Sequence, residues 1–225
     1  MRQLTGSRKL EAPDALRPAA VLFDYDDTLV QTRLCKYRAL RALGSRHYGL
    51  QLSDAEIDRH WGIAYVELFR QLFGAVEPQL ERAIQRYEAL DAEFSMTAYP
   101  EALPVLRALA SRMPIGIVTA AGRSIVERQL NLLGFPPLAV LQTAEDTPHH
   151  KPDPRVFAPA LACLRALGVE SARVHYVGDS LKDFEAARGA GLTFVGILRG
   201  TTRPEEFAAA GAETVESLDA LLERL

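Results

Sequence analysis

The chain has little of what would commit it to several classes of protein. Its 225 residues contain only two cysteines, Cys35 and Cys163. They lie far apart and show no metal-ligand spacing, so neither a disulfide scaffold nor a thiolate metal centre is expected; free, buried thiols in a reducing cytoplasm are. No apolar run approaches the roughly 20 residues of a membrane span. The segment from Met1 to Arg17 lacks an apolar signal core and reads as a loose polar tail. Lys and Arg together number 26 against 29 Asp and Glu, a formal net charge of −3, which offers neither a basic field for nucleic acid nor an acidic tail. There is no internal repeat and no low-complexity tract. What is left, 48% hydrophobic and 24% charged residues, is the profile of an ordinary soluble enzyme; a monomer or homodimer is expected.

The length suits one α/β domain with an insertion. Ala19 to Phe23 is a short apolar run that predicts a buried strand. From about residue 31 to 96 the texture changes. Leu, Ala, Arg and Glu dominate, and Leu34, Tyr37, Leu40 and Leu43 recur at helical spacing. Ser53-Asp54-Ala55-Glu56 has the pattern of a capping box. Gly62, Gly74 and Pro78 divide the rest, so this segment predicts about four helices. After Tyr99-Pro100, helix and strand alternate. Helices are expected over Glu101 to Arg112, Ser124 to Leu133, Pro154 to Leu167, Lys182 to Ala190 and Leu218 to Leu225. Strands are expected over Ile115 to Val118, Leu138 to Leu141, Arg173 to Val177, Thr193 to Ile197 and Glu213 to Val215. The alternation predicts a doubly wound parallel sheet covered on both faces, with its strand C-termini along one edge, where ligands bind. The expected organisation is a tail over 1–18, an α/β core over 19–30 and 97–225, and an all-helical cap over 31–96. A cap inserted after the first strand rises from the ligand-binding edge.

Four places at that edge carry chemistry. They are Asp24 and Asp26 in Asp24-Tyr25-Asp26-Asp27-Thr28-Leu29; Thr119 with Ala120; Lys151, before Pro152; and Asp179 and Asp183 in Gly178-Asp179-Ser180-Leu181-Lys182-Asp183. Clustered carboxylates repel one another unless a cation or a phosphoryl group joins them. Hard oxygen donors suit Mg2+. With Lys151 that ion can neutralise a phosphate dianion beside an attacking carboxylate. Thr119 and the Ala120 N–H, at a helix start, can hold phosphoryl oxygens. One Asp can attack phosphorus and the other can carry the proton. His149 and His150 are adjacent, so they point apart and read as loop residues. Arg123, next to Thr119, and Arg33 and Lys36, early in the helical segment, are candidates for substrate contact; Trp61 reads as core.

The four motifs, in this order and at these strand ends, resemble those of the haloacid dehalogenase-like hydrolase superfamily, in its helical-cap branch. The resemblance runs from Val21 to Leu225. It implies that Asp24 is the nucleophile and Asp26 the general acid and base. It implies Mg2+ held by Asp24, the Asp26 backbone carbonyl and Asp179, with Asp183 supporting the water shell. Thr119 and Lys151 would bind the phosphoryl group. The expected activity is Mg2+-dependent hydrolysis of small phosphate monoesters through an aspartyl phosphate, as in phosphoglycolate phosphatase-like members. Two features depart from the family pattern. Asp27 stands where most members carry Gly, and Gln31-Thr32 where many carry Asp-Ser or Asp-Thr. The sugar-phosphate mutases usually have His at the position of Lys36, and the dehalogenases lack the second Asp, so both rank below a phosphatase. A silent binding protein would lack a motif residue, and none is missing.

Overall fold

A computed structural model describes residues 18–61, 65–90, 92–200 and 202–225. The expected tail falls outside them apart from Pro18. The chain divides into two compact units, one made of Met1–Thr28 with Glu101–Leu225, the other of Leu29–Pro100.

The first unit is built on a parallel sheet of six strands: β1 (Ala20–Phe23), β2 (Ile115–Val118), β3 (Val140–Gln142), β4 (Val174–Gly178), β5 (Thr193–Ile197) and β6 (Glu213–Val215). Their order is β3-β2-β1-β4-β5-β6. β1 is therefore central, and all four of its residues are buried. A strand flanked on both sides and covered on both faces must be apolar throughout, as Ala-Val-Leu-Phe is. Phe23 is in register with Ile117 on one side and Val177 on the other, so the residues after these strands emerge together at the C-terminal edge. The chain leaves β1 toward β2 and β3 and returns to β4, which makes the β1–β4 boundary the switch point of the sheet.

Helices α5 (Ala102–Ala110), α6 (Arg123–Leu133), α7 (Ala158–Ala166), α8 (Leu181–Gly189), α9 (Pro204–Ala210) and α10 (Leu218–Arg224) complete the unit. The helices expected to end at Leu133, Leu167 and Ala190 are each followed by a glycine of positive φ, Gly134, Gly168 and Gly191, at 73°, 80° and 73°. Three details differ from expectation. Pro154–Phe157 forms a 3-10 turn before α7 rather than its first α-turn. The third strand lies two residues later than its apolar run. Helix α9 was not foreseen, although Pro204 at its start, Glu205 and Glu206 in its first turn and Gly211 after it are the signals of a helix. One core cluster joins Leu22, Val156, Phe157, Leu164, Tyr176, Phe194 and Phe207, and Phe157 meets Tyr176 edge-on at 4.7 Å between ring centroids.

The second unit is helical: α1 (Thr32–Leu43), continued by a π-turn over Gly44–Tyr48, then α2 (Asp54–Asp58), α3 (Tyr65–Phe73) and α4 (Leu80–Glu88). The capping box forms at Ser53 and Glu56. A short antiparallel bridge of Val30 with Ala98 joins its two ends. Tyr37, Leu40, Leu43, Ile57, Phe69, Phe73 and Leu90 make its own core. Leu34 does not belong to it and is 41% exposed, because the buried row of α1 runs through Cys35, Ala39 and Leu43 instead. Trp61 packs at the margin of this core, 4.9 Å from Tyr37 and edge-on. Of the two free thiols, Cys35 is buried as expected and Cys163 is not, since it sits on the outer face of α7. Among the described residues, no helix is long and apolar enough to cross a membrane.

Candidate active site

The Asp24 N–H donates to the Val177 carbonyl at 2.8 Å, extending the ladder between β1 and β4 by one residue. This fixes where the Asp24 carboxylate starts. Tyr25 turns into the core, where its hydroxyl donates to Gln129 at 2.9 Å. The backbone then bends at Asp27, whose φ is 53°, in the left-handed region that Asp tolerates better than most residues. Asp27 is buried rather than solvent-facing, and its charge adds to the repulsion felt by Asp179.

Lys151 is the hub of the site. Its Nζ donates to Asp24 Oδ1 at 2.5 Å, to Asp183 Oδ1 at 2.6 Å and to the Tyr176 hydroxyl at 2.6 Å. An ammonium has three protons, and all three are engaged. Tyr176 in turn lies 3.1 Å from Asp183 Oδ1 and 3.3 Å from the Val118 carbonyl. Asp183 is more than a first-turn carboxylate on α8. The Ser180 hydroxyl accepts from the Asp183 N–H at 3.2 Å and donates to its carboxylate, so the cap of α8 also orients Asp183. Gly178 makes room for this, because a Cβ there would overlap Asp183.

Asp24, Asp179 and Asp183 each bring a carboxylate oxygen within 4.8 Å of the others. Three carboxylates around one ammonium leave an excess of negative charge in a buried place. Burial pushes the Asp24 carboxyl up to about 7; Lys151 opposes this, and Asp183 and Asp26 add to it. Burial, then the charges of Asp24, Asp183 and Asp27, push Asp179 up to about 9. Burial depresses the Lys151 ammonium, but Asp183 and Asp24 overcome that and hold it above its ordinary range. These carboxylates could hold a divalent cation, and carboxylate oxygens are the donors Mg2+ takes. Among the described residues, the Asp26 side chain is not part of this cluster.

The sign of the resulting pH dependence follows from the two raised carboxyls. Above about pH 4 the unfolded chain has released protons that the metal-free folded protein keeps, up to about 7 on Asp24 and about 9 on Asp179. The folded state then binds more protons, so stability falls as pH rises. In EDTA the melting temperature should drop between about pH 6 and about pH 8.5, and saturating Mg2+ should flatten that slope. A melting temperature in EDTA that rises over the same interval would contradict the charge balance described here.

Thr119 is buried at the end of β2. Its N–H donates to the Gln142 carbonyl and its Oγ1 accepts from the Ala121 N–H, both at 3.0 Å, which leaves the hydroxyl proton for another acceptor. Ala120 beside it is exposed. The start of α6, expected to face a phosphoryl group, is capped from within: the Arg123 N–H donates to the Glu145 carboxylate at 3.0 and 3.1 Å. The Arg123 guanidinium bonds to Glu127 at 3.1 Å and Asp146 at 2.5 Å. The structure therefore gives Arg123 a role in tying α6 to the turn at Ala144–Asp146.

In the helical unit, Arg33 pairs with Asp58 at 2.5 Å and stacks over Tyr37. Lys36 is exposed, 5.9 Å above the Trp61 ring, and borders a cavity lined by Cys35, Ala39, Tyr87, Phe94 and Met96. His149 faces Asp153 at 3.6 Å, the loop position expected of it. Tyr176 escaped the sequence reading; its signal was a polar tip inside an apolar strand, two residues before Gly178.

The sequence profile of haloacid dehalogenase-like hydrolases matches residues 21–197. A phosphoglycolate phosphatase from Rhodospirillum rubrum is 31% identical over 88% of this chain and 86% of its own length. An N-acetylmuramic acid 6-phosphate phosphatase from Pseudomonas aeruginosa is 28% identical over 89% of this chain and 91% of its own. A solved structure of a subfamily IA hydrolase from Geobacter sulfurreducens has the same fold, with a TM-score of 0.73 at 20% identity, covering 94% of this chain and 97% of that one. Six parallel strands in this order, carboxylates and a lysine at their C-terminal edge, and a profile match over most of the length lead to one assignment: the chain belongs to the haloacid dehalogenase-like hydrolases.

Proposed function

We propose that this hydrolase is a Mg2+-dependent phosphatase of small phosphate monoesters that works through a phosphorylated Asp24. The observation that carries the reading is the ammonium of Lys151 bridging Asp24 and Asp183, with Asp179 close by, at the edge of a parallel sheet. That set holds more negative charge than it can keep without a cation and a phosphoryl group to act on. Asp24, Asp179, Asp183 and the backbone carbonyl of Asp26 would hold Mg2+, which when bound neutralises charge on the phosphoryl oxygens and keeps Asp24 ionised.

In the first step an Asp24 oxygen forms a bond to phosphorus while the bond from phosphorus to the ester oxygen breaks. Asp26 gives its proton to the leaving oxygen. Lys151 fixes the Asp24 carboxylate for attack and, by giving up its neutral partner Tyr176, can turn one proton toward the phosphoryl group. The hydroxyl proton of Thr119 and the N–H of Ala120 serve the phosphoryl oxygens. In the second step Asp26 takes a proton from water, water oxygen bonds to phosphorus, and the bond to Asp24 breaks to release inorganic phosphate. The relatives named for phosphomonoesters support this reaction class, and the choice among such esters rests with residues outside the motifs, where Arg33 and Lys36 are the first to vary.

The test is phosphate release from p-nitrophenyl phosphate and a panel of phosphorylated metabolites. Turnover should require Mg2+ and stop in EDTA. Full turnover in EDTA, or isomerised sugar phosphate in place of free phosphate, would overturn the reading.

A further inference from the structure

Just past β5, the chain runs Leu198-Arg199-Gly200, and two features of this loop point inward. Arg199 has a side chain only 6% exposed, and its guanidinium spans two partners. One is the Thr28 carbonyl, at 2.7 Å, and the other is the Glu101 carboxylate. Thr28 is the last residue of the α/β unit before the helical insertion and Glu101 the first after it. Thr28 is fully buried, and its hydroxyl has no hydrogen-bond partner among the described residues, so the Arg199 bond falls on its carbonyl and not its side chain. The neighbouring Gly200 lies flush against Asp179: a Cβ on residue 200 would overlap Asp179 Oδ2. The loop is held in turn by the Leu198 N–H on Val215 and the Arg199 N–H on Ile197, each at 3.0 Å.

We infer that Arg199 and Gly200 form one positioning device for the site: Gly200 seats the Asp179 carboxylate, and Arg199 fixes Thr28 and Glu101 within the α/β unit from the same loop. A guanidinium suits this task because its rigid, planar fork presents separate N–H groups to the carbonyl and the carboxylate at once. The bond to Thr28 also sets the end of the turn that begins at Asp24, so the two halves of the site, Asp24 to Asp27 and Asp179, are referred to a common point. Cation binding at Asp179 and the placement of Thr28 and Glu101 are then coupled through one backbone step.

The inference rests on Asp179 binding Mg2+, and it is tested by calorimetric titration of the metal-free protein with MgCl2, without substrate. Gly200→Ala should weaken binding by roughly 10- to 100-fold, as loss of a carboxylate's support does elsewhere. Its circular dichroism and its melting in EDTA should stay close to wild type, because the atoms nearest the added methyl belong to the Asp179 side chain and not to backbone. Arg199→Met leaves Glu101 unpaired and can impair folding, so it is made together with Glu101→Gln. That double variant should also weaken Mg2+ binding. Combined with Gly200→Ala it should lose less than the product of the two separate losses, the sign of groups acting through one element. Unchanged Mg2+ affinity in Gly200→Ala, or losses that multiply, would overturn the inference while leaving the proposed function standing. Wild-type protein that binds no Mg2+ would overturn both.

Discussion

Asp24→Asn should lower phosphate release by a factor on the order of 10^4 or more, the scale of losing a nucleophile, while leaving the protein folded and, in EDTA, no less stable than wild type. The two halves of this expectation come from the same geometry. Asp24 is buried, faces Asp183 and Asp179, and has a carboxyl pushed up to about 7. Such a group costs the metal-free fold stability at neutral pH, because like charges are held together out of water. Asn keeps the shape and can still accept the Lys151 bond, but it removes one of the charges that repel. Activity and stability should therefore move in opposite directions, as they do where a site is kept for chemistry at the expense of the fold. Melting temperatures in EDTA and phosphate-release rates in Mg2+ check both halves. A variant that loses activity because it unfolds, or one that keeps near-normal turnover, would contradict the account.

Lys151→Met should damage both. It removes the one ammonium from among Asp24, Asp183 and Asp179 and strands their charge. Removing one partner of a buried ion pair typically costs about 3–5 kcal/mol, and here Tyr176 also loses its donor. For a chain of this length a loss of 1 kcal/mol lowers the melting temperature by roughly 2–4 °C, so the drop in EDTA should be large. Mg2+ should recover part of it, because a cation on Asp24 and Asp179 supplies some of the missing charge. Turnover should stay low even at saturating Mg2+, since the phosphoryl group has lost its cationic partner. Thermal melts with and without Mg2+ separate these effects. A melt that Mg2+ does not move would mean that the carboxylates do not share a cation.

The sheet was largely legible in the sequence. Ala20–Phe23, Ile115–Val118 and Thr193–Ile197 are short apolar runs between turn residues, and only a strand buried on both faces has that pattern. Three of the motifs were legible for the same reason, since Asp24, Thr119 and Asp179 stand just where an apolar strand stops, whereas Lys151 follows in the loop between β3 and α7. What was not legible depends on contacts between distant parts of the chain. Arg123 reads as a residue that could contact substrate or an adjacent carboxylate, and which carboxylates it meets, Glu127 and the more distant Asp146, shows only in the fold. Leu34 fits a helical spacing, yet the buried row of α1 passes one residue away. Tyr176 looks like one more aromatic in a buried strand until Lys151 is found on its hydroxyl. Arg199 and Gly200 carry no motif, and only their approach to Thr28, Glu101 and Asp179 marks them. Asp27 lay between the two: its positive φ follows from the turn, whereas its burial and its bearing on Asp179 follow from the fold.

The central claim is that Asp24 becomes phosphorylated during turnover, and its most direct test is to catch the intermediate. The protein is mixed with substrate and Mg2+, quenched in acid within the first turnovers, digested and examined by mass spectrometry. The account predicts one phosphoryl group on the peptide containing Asp24, removed by hydroxylamine as an acyl phosphate must be, and absent from Asp24→Asn. Steady phosphate release with no label on Asp24, or with the label on another residue, would contradict it.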